Sequence, residues 1–95
     1  MKKYKVMLNG QNFVIDLGEG QAKYGFYTTQ YADANTKSEA EDIVIASIKN
    51  RKDIKENVKN ENSDPPMLYA EEIVEVAAVE NYEQEIGLSW FKEAF

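Results

Sequence analysis

The composition of this 95-residue chain is typical of one small, acidic globular domain, with 43% apolar and 29% charged residues. It carries 11 basic and 17 acidic side chains, for a formal net charge of −6, and it has neither histidine nor cysteine. Disulfides, thiolate nucleophiles, the usual zinc sites and the commonest general base near neutral pH are therefore excluded. We expect no enzyme and predict no cofactor and no metal site.

The charge is unevenly distributed along the chain. Residues 1–60 hold ten basic and eight acidic side chains, whereas residues 61–95 hold Lys92 against nine carboxylates. Most of these carboxylates alternate with apolar residues, which favours solvated strand edges. An acidic inhibitor that captures a basic partner is a further hypothesis. The basic cluster over residues 49–59 is interrupted by Asp53 and Glu56, so nucleic acid is not expected as a partner.

The N-terminal residues predict no targeting or membrane segment. Their apolar run ends at Leu8, short of the roughly 7–15 residues of a signal-peptide core. No stretch approaches the ~20 apolar residues of a membrane span. We therefore expect a cytoplasmic protein without a membrane partner.

The first predicted element is a β-hairpin over residues 4–17, with Asn9-Gly10 as its turn. Asn-Gly is the strongest short signal for a two-residue type I′ turn. This register pairs Lys3 with Asp16 and sorts apolar from polar residues, which supports it. The predicted inner face holds Tyr4, Val6, Leu8, Phe13, Ile15 and Leu17. The predicted outer face holds Lys3, Lys5, Met7, Asn12, Val14 and Asp16.

A third strand is predicted over residues 24–32, where aromatic and β-branched residues dominate. The preceding residues 18–21 predict a loop, and they lack the third glycine of a dinucleotide-binding fingerprint. Ala32 and Ala34 share a parity with Phe26 and would let a helix approach closely, so this side is placed inward. Tyr27 and Tyr31 then lie on the outer face.

A helix is predicted from Lys37, because Thr36-Lys37-Ser38-Glu39 fits a capping box. Residues 37–50 would span ~21 Å, enough to cover a small sheet. Ile54 and Val58 continue the apolar stripe, as an extension or as a short second helix. The predicted buried face holds Ala40, Ile43, Val44, Ser47 and Ile48.

The last predicted strand covers residues 67–79, after a breaker segment over residues 60–66 that contains both prolines. Most apolar residues of this strand occupy alternate positions and would lie on one face, but Tyr69 and Ile73 break the alternation. A β-bulge near Glu71-Glu72 would reconcile the two sets.

The sequence thus predicts an α+β fold. A three- to four-stranded, mainly antiparallel sheet in the order β-β-β-α-β carries one main helix on one face. Residues 1–80 form the predicted domain. Residues 81–95 form an aromatic tail, with Leu88, Trp90, Phe91 and Phe95, that docks on its own domain or on a partner.

Three segments carry a resemblance to known proteins. They are Tyr4-Lys5-Val6-x-Leu8-Asn9-Gly10-x-Asn12-Phe13, Gly25-Phe26-Tyr27-Thr28-Thr29 and Asp64-Pro65-Pro66-Met67-Leu68-Tyr69-x-Glu71-Glu72-Ile73. Over about the first three quarters of its length, the chain resembles a family of small uncharacterised bacterial proteins. The resemblance supports the fold class and implies no activity, cofactor or catalytic residue.

Two patterns that could carry chemistry have simpler explanations. Ser89-Trp90-Phe91-Lys92 matches a Ser-x-x-Lys nucleophile pattern, but it lacks the accompanying motifs and the large scaffold. The carboxylates of residues 71–83 form no calcium-binding loop, and a solvated strand edge explains them.

The predicted outer face is the main candidate for function. Tyrosine and methionine are enriched at interfaces, and an open apolar face usually marks a contact. Cover by the C-terminal tail and cover by a partner are equally consistent with the sequence. We predict a protein-interaction or homodimerisation module, with a second copy or another protein as partner; the alternative is a small-molecule-binding or sensor domain. The interface or ligand candidates are Met7, Val14, Tyr27, Tyr31, Trp90 and Phe91.

Overall fold

A computed structural model describes residues 1–16, 18, 20–77 and 88–93. It contains one four-stranded antiparallel sheet in the order β3-β1-β2-β4, and α1 contacts β1, β2 and β3. This arrangement confirms the α+β class with one main helix. The elements in chain order are β1 (Lys2–Asp16), β2 (Gln21–Ala34), α1 (Lys37–Lys49), α2 (Lys52–Asn57), β3 (Met67–Val76) and β4 (Ser89–Lys92).

The predicted turn at Asn9-Gly10 is wrong, because these residues lie inside the continuous strand β1. Asn9 pairs with Tyr27 of β2 and Tyr69 of β3, so the dipeptide sits between two neighbouring strands. Neither residue has a positive φ. The first two predicted strands are therefore one strand, and the element order is β-β-α-α-β-β.

Gly10 is needed for space rather than for a turn. It pairs with Phe26, and a Cβ atom on Gly10 would overlap the ring of Phe26. The connection between β1 and β2 falls at the predicted loop instead. Gly18 and Gly20 both have positive φ there, which glycine adopts without steric cost.

A bulge at Asn12 explains why the predicted inner face of β1 is nevertheless correct. Asn12 has φ 60°, and the pairing of β1 with β2 shifts between Gly10 and Phe13. The shift places Phe13 and Ile15 on the same side of the strand as Tyr4, Val6 and Leu8, and all five are buried. The observed bulge therefore places the same described residues of β1 on the inner face as the predicted hairpin does.

Hydrogen bonds from distant segments hold this bulge. The Asn12 backbone N–H donates to Glu93 Oε1 at 2.6 Å, and its Nδ2 donates to Asp64 Oδ1 at 2.8 Å. Asn60 Nδ2 donates to the Asn12 carbonyl at 2.7 Å. The breaker segment before β3 and the residue after β4 therefore converge on one point of β1.

The main helix begins as predicted. Thr36 is its N-cap, and the Thr36 hydroxyl accepts a hydrogen bond from the Glu39 backbone N–H at 3.1 Å. Ala40, Val44 and Ile48 are buried, whereas Ile43 and Ser47 are exposed. Only the central line of the predicted apolar face is therefore buried.

The short second helix is also present. Ile54 of α2 is buried, and Val58 forms an isolated bridge with Ile15 of β1. Beneath both helices lies the core, which also includes Phe26, Ala32 and Ala34 of β2.

The predicted bulge in β3 is confirmed. Met7 pairs with Glu72 and Leu8 pairs with Ala70, so Glu71 is the extra residue. Because of this shift, Leu68, Ala70 and Ile73 all pack against the core. The strand ends at Val76, and the predicted positions Ala78 and Val79 lie outside the described residues, as do Leu17 and Phe95.

The described part of the C-terminal segment pairs with its own chain. In β4, Trp90 pairs with Phe26 and Phe91 pairs with Gly25 of β2. A Cβ atom on Gly25 would overlap the Phe91 ring. Glycine at this position therefore lets Phe91 lie flat against the sheet.

Candidate interaction surface

The two faces of the sheet have different cover. Both helices contribute buried residues to the core on the inner face, and no helix among the described residues covers the other face. We call this other face the open face. Strand alternation and the pairing register give its members from β1 and β2 as Lys3, Lys5, Met7, Asn9, Tyr27, Thr29, Tyr31 and Asp33. Its members from β3 and β4 are Met67, Tyr69, Glu72, Val74, Val76, Ser89 and Phe91.

The open face is rich in large apolar side chains that water can reach. Six of them are more than a third exposed: Met7, Tyr27, Met67, Tyr69, Val74 and Phe91. Single exposed apolar residues are normal on proteins, but a contiguous set on one face usually marks a contact.

Four of the six predicted site residues lie on the open face. Met7, Tyr27 and Tyr31 come from neighbouring strands, and Phe91 reaches the same face from β4. The rings of Phe91 and Tyr27 stack with centroids 5.4 Å apart and an interplanar angle of 29°. Within residues 88–93, the C-terminal segment therefore contributes to this face at one edge rather than covering it.

Trp90 and Val14 are not part of the central open face. Neighbouring residues of a strand point to opposite faces, so Trp90 turns away from Phe91 and packs edge-on against Phe13 and Phe26, with centroids 5.8 and 5.0 Å apart. Cover of the outer face by the tail would place both Trp90 and Phe91 there, and only Phe91 reaches it. Val14 alternates with the buried Phe13 and Ile15, so it lies on the same side of β1 as Met7, but beyond the Asn12 bulge, where it lines a separate cavity with Lys59 and Asp64.

Sequence reasoning missed three exposed apolar residues of the open face, Met67, Tyr69 and Val74. The predicted parity grouped Val74 with Leu68, which lies on the inner side. A bulge with Glu71 as its extra residue reverses the parity after Ala70 and places Val74 on the same face as Tyr69 instead. Alternation with the inner Leu68 gives Met67 and Tyr69, and applying the predicted bulge to the later residues gives Val74.

Sequence reasoning also missed a polar pair at the centre of this apolar face. Asn9 is only 5% exposed, and its Nδ2 donates to Glu71 Oε1 at 2.9 Å. Asn9 Oδ1 is buried and accepts no hydrogen bond from the described residues. A buried polar atom without a partner costs about 1–3 kcal/mol. Asn9 is flanked by its pairing partners Tyr27 and Tyr69.

A shallow cavity of about 110 Å³ lies next to this polar pair. Glu71 forms part of its wall, and Met7 and Tyr27 contribute apolar surface. Ser89 closes it from β4. The cavity has room for part of a side chain from another molecule.

Charges on the open face are only partly paired. At one end, Lys3 Nζ lies 3.3 Å from Asp33 Oδ1. Lys5 lies nearer the centre and has no carboxylate within ion-pair distance among the described residues. Among the described residues, the face therefore combines apolar side chains with Lys5, which has no ion-pair partner there, and the carboxylates of Glu71 and Glu72.

A second candidate site lies at the inner side of β4. A cavity of about 230 Å³ is lined by Trp90 and Ile15, together with the polar side chains of Asp16, Asp53 and Asn57. An aromatic wall with a few polar groups is the usual composition of a small-molecule site.

One carboxylate of this cavity is already paired. The Arg51 guanidinium donates to both oxygens of Asp53, at 3.0 and 2.9 Å. These hydrogen bonds lower the pKa of the Asp53 carboxyl, and they raise the pKa of Arg51. Asp53 therefore stays ionised and has little capacity left for a ligand.

Two other classes of site are absent from the described residues. Within residues 1–16, 18, 20–77 and 88–93, no three acidic side chains are grouped so that they could hold a metal ion. Among the same residues, no helix is long and apolar enough to cross a membrane.

Comparison with known proteins adds no identity to this geometry. No family model matches the chain, no curated protein is similar to it, and no solved structure matches it. The resemblance to a family of small uncharacterised bacterial proteins therefore stays a prediction. Function must be inferred from the open face and the Trp90 cavity.

Proposed function

We propose that this protein is a non-enzymatic interaction module that forms a homodimer through the open face. The observation that carries the proposal is the group of six exposed large apolar side chains on a sheet face without a helix among the described residues. Burying such side chains is the main driving force of protein association.

A second copy of the chain suits this face. A two-fold symmetric interface uses the same patch on both subunits, so the patch must complement itself. The open face is mainly apolar and carries charges of both signs, which meets this requirement. Two such faces can stack as a β-sandwich with ~10 Å between the sheets.

The first test is the oligomeric state in solution. Native mass spectrometry and sedimentation across a wide concentration range should give a dimer that dissociates on dilution. Replacing Tyr27 and Tyr31 together with serine removes two aromatic side chains from the face. The dissociation constant should rise by about tenfold or more, as expected for aromatic residues at the centre of an interface.

Ile43→Ser provides the matched control. Ile43 is 42% exposed, close to the 49% of Tyr27, but it lies on α1 away from the open face. This variant should dimerise like the wild type. A wild type that is monomeric at every concentration, or a double variant with unchanged affinity, would contradict the proposal.

The Trp90 cavity supports a second candidate function, the binding of a small molecule. Trp90 is the only tryptophan, so its fluorescence reports on this cavity alone. Fractions of a metabolite extract that contain a ligand should shift the emission. Asn57→Ala, which removes a polar group from the cavity wall, should weaken that shift. The absence of any shift with all fractions would contradict this function.

A further inference from the structure

The unpaired oxygen of Asn9 is the least explained feature of the open face. Most buried polar atoms in native proteins have a hydrogen-bond partner. The Asn9 Nδ2 group donates to Glu71 Oε1, and this hydrogen bond holds the exposed Glu71 carboxylate beside the buried amide. An amide oxygen next to a carboxylate forms a set of acceptors with negative charge. A cationic donor is the complementary group.

The chain's own nearby cation does not supply this donor. Lys5 lies on the same side of β1 as Asn9, four residues away, which is ~13 Å at ~3.3 Å per residue. Among the described residues, Lys5 forms no ion pair with Glu71. A lysine from another molecule can therefore take this position.

We propose, building on the homodimer of the previous section, that Lys5 of the partner subunit forms an ion pair with the Glu71 carboxylate beside Asn9. The two-fold axis lies in the plane between the two sheets and crosses the strands at Met7. The contact then occurs twice, once on each side of the axis, and it joins Lys5 of each copy to the polar pair of the other.

The register of β1 leads to this axis. A two-fold axis across the strands lays each strand over its own copy in the reverse direction. A residue two positions before Met7 then faces a residue two positions after it, so Lys5 faces Asn9. A four-carbon lysine stem and an asparagine side chain together cover about the ~10 Å between stacked sheets.

The neighbouring strands give apolar contacts in the same register. On β2, Thr29 pairs with Met7, so the axis brings Tyr31 of one copy opposite Tyr27 of the other. On β3, Val74 pairs with Lys5 and Tyr69 pairs with Asn9. The same axis therefore brings Val74 of one copy opposite Tyr69 of the other.

The alternative axis gives a poorer dimer. A two-fold axis parallel to β1 would place Lys5 directly over Lys5 of the partner subunit. Like charges that face each other across an interface are unfavourable. The axis across the strands brings opposite charges to face each other, and it also brings apolar residues to face each other.

Charge exchange between Lys5 and Glu71 tests the contact. Lys5→Glu alone and Glu71→Lys alone each create two like-charged contacts, and the dissociation constant of each homodimer should rise about tenfold or more. An equimolar mixture of the two variants should recover dimer, because both contacts are again between opposite charges. Lys37→Glu, a matched charge change at the start of α1, should leave the affinity of the dimer unchanged.

Zero-length carbodiimide cross-linking of the wild-type protein gives a second readout that needs no variant. It should join the peptides containing Lys5 and Glu71 of different subunits in the dimer band. Absence of that cross-link, or variants that dimerise normally, would overturn this contact while the homodimer stands. A wild type that never dimerises would overturn both proposals.

Discussion

The inner and open faces of the same sheet show how one set of strands can serve two purposes. Phe26 and Tyr27 are neighbours in β2, yet Phe26 is fully buried and Tyr27 is 49% exposed. The two faces also separate the neighbouring aromatic residues of β4, although both are more than a third exposed: Trp90 packs against the core aromatics and Phe91 stacks on Tyr27. Among the described residues, the buried contacts are therefore concentrated on the inner face.

The largest expected effect tests this division within β2. Phe26→Ala leaves a cavity under the helices and should lower the free energy of unfolding by about 3–5 kcal/mol. Tyr27→Ala, the adjacent control, should cost about 1 kcal/mol or less in the monomer. Urea denaturation at protein concentrations too low for dimerisation measures both. Equal losses would mean that the two faces contribute equally to folding.

The next effect tests the close contact between β1 and β2 on the inner face. Gly10→Ala places a methyl group against the Phe26 ring and should cost about 1–3 kcal/mol. The double variant Gly10→Ala, Phe26→Leu should lose less than the sum of the two single variants, because the smaller side chain makes room. Gln11→Ala, at the next and exposed position, is the control. Additive losses in the double variant would argue against this contact.

A smaller difference is expected in β4. Trp90→Ala removes edge contacts with two core aromatics and should cost about 2 kcal/mol. Phe91→Ala removes one stacking partner on the open face and should cost about 1 kcal/mol. Thermal unfolding compares the two variants. A larger loss for Phe91 would reverse the assignment of the two residues to core and surface.

The smallest effect concerns the ion pair of α2 at the rim of the inner layer. Because Arg51 lowers the pKa of Asp53, the pair stabilises the fold above the ordinary pKa of a carboxyl, ~3.9, and this contribution disappears as the pH falls through the lowered value. The pair is substantially exposed and solvent screens it, so Asp53→Asn should cost less than about 1 kcal/mol at pH 7.

Urea denaturation of Asp53→Asn and the wild type at several pH values measures this effect. The stability difference between the two proteins should shrink in strong acid. A difference that is independent of pH would mean that the Asp53 charge contributes nothing. Lys52→Ala, which removes the longer 3.9 Å pair with Glu56, is the control and should change stability less at every pH.

Several features of the fold could be predicted because they depend on neighbours in sequence. The N-cap at Thr36, the bulge near Glu71 and the inward side of β2 are all confirmed. In each case the residue types within a few positions decide the local conformation. The composition of the inner face was predictable for the same reason, since apolar spacing determines which side chains can share a face.

The candidate surface was predictable only in part. Met7, Tyr27 and Tyr31 follow from strand alternation, whereas the Asn9–Glu71 pair requires the register between β1 and β3. These two residues are far apart in sequence, and no local pattern brings them together. Trp90 was misplaced because the pairing of β4 with β2 determines which of two adjacent aromatic residues points inward.

The sequence by itself determined the α+β class, the inner faces of β1 and β2 and the start of the main helix, because these depend on residue spacing and short-range hydrogen bonds. The tertiary structure alone decided that Asn9-Gly10 continues a strand. The local preference of Asn-Gly for a turn amounts to a few kcal/mol at most, whereas β1 gains a ladder of hydrogen bonds on both edges at about 0.5–1.5 kcal/mol each. Phe26 then occupies the space that Gly10 leaves free. The sum of these long-range contacts outweighs the local signal.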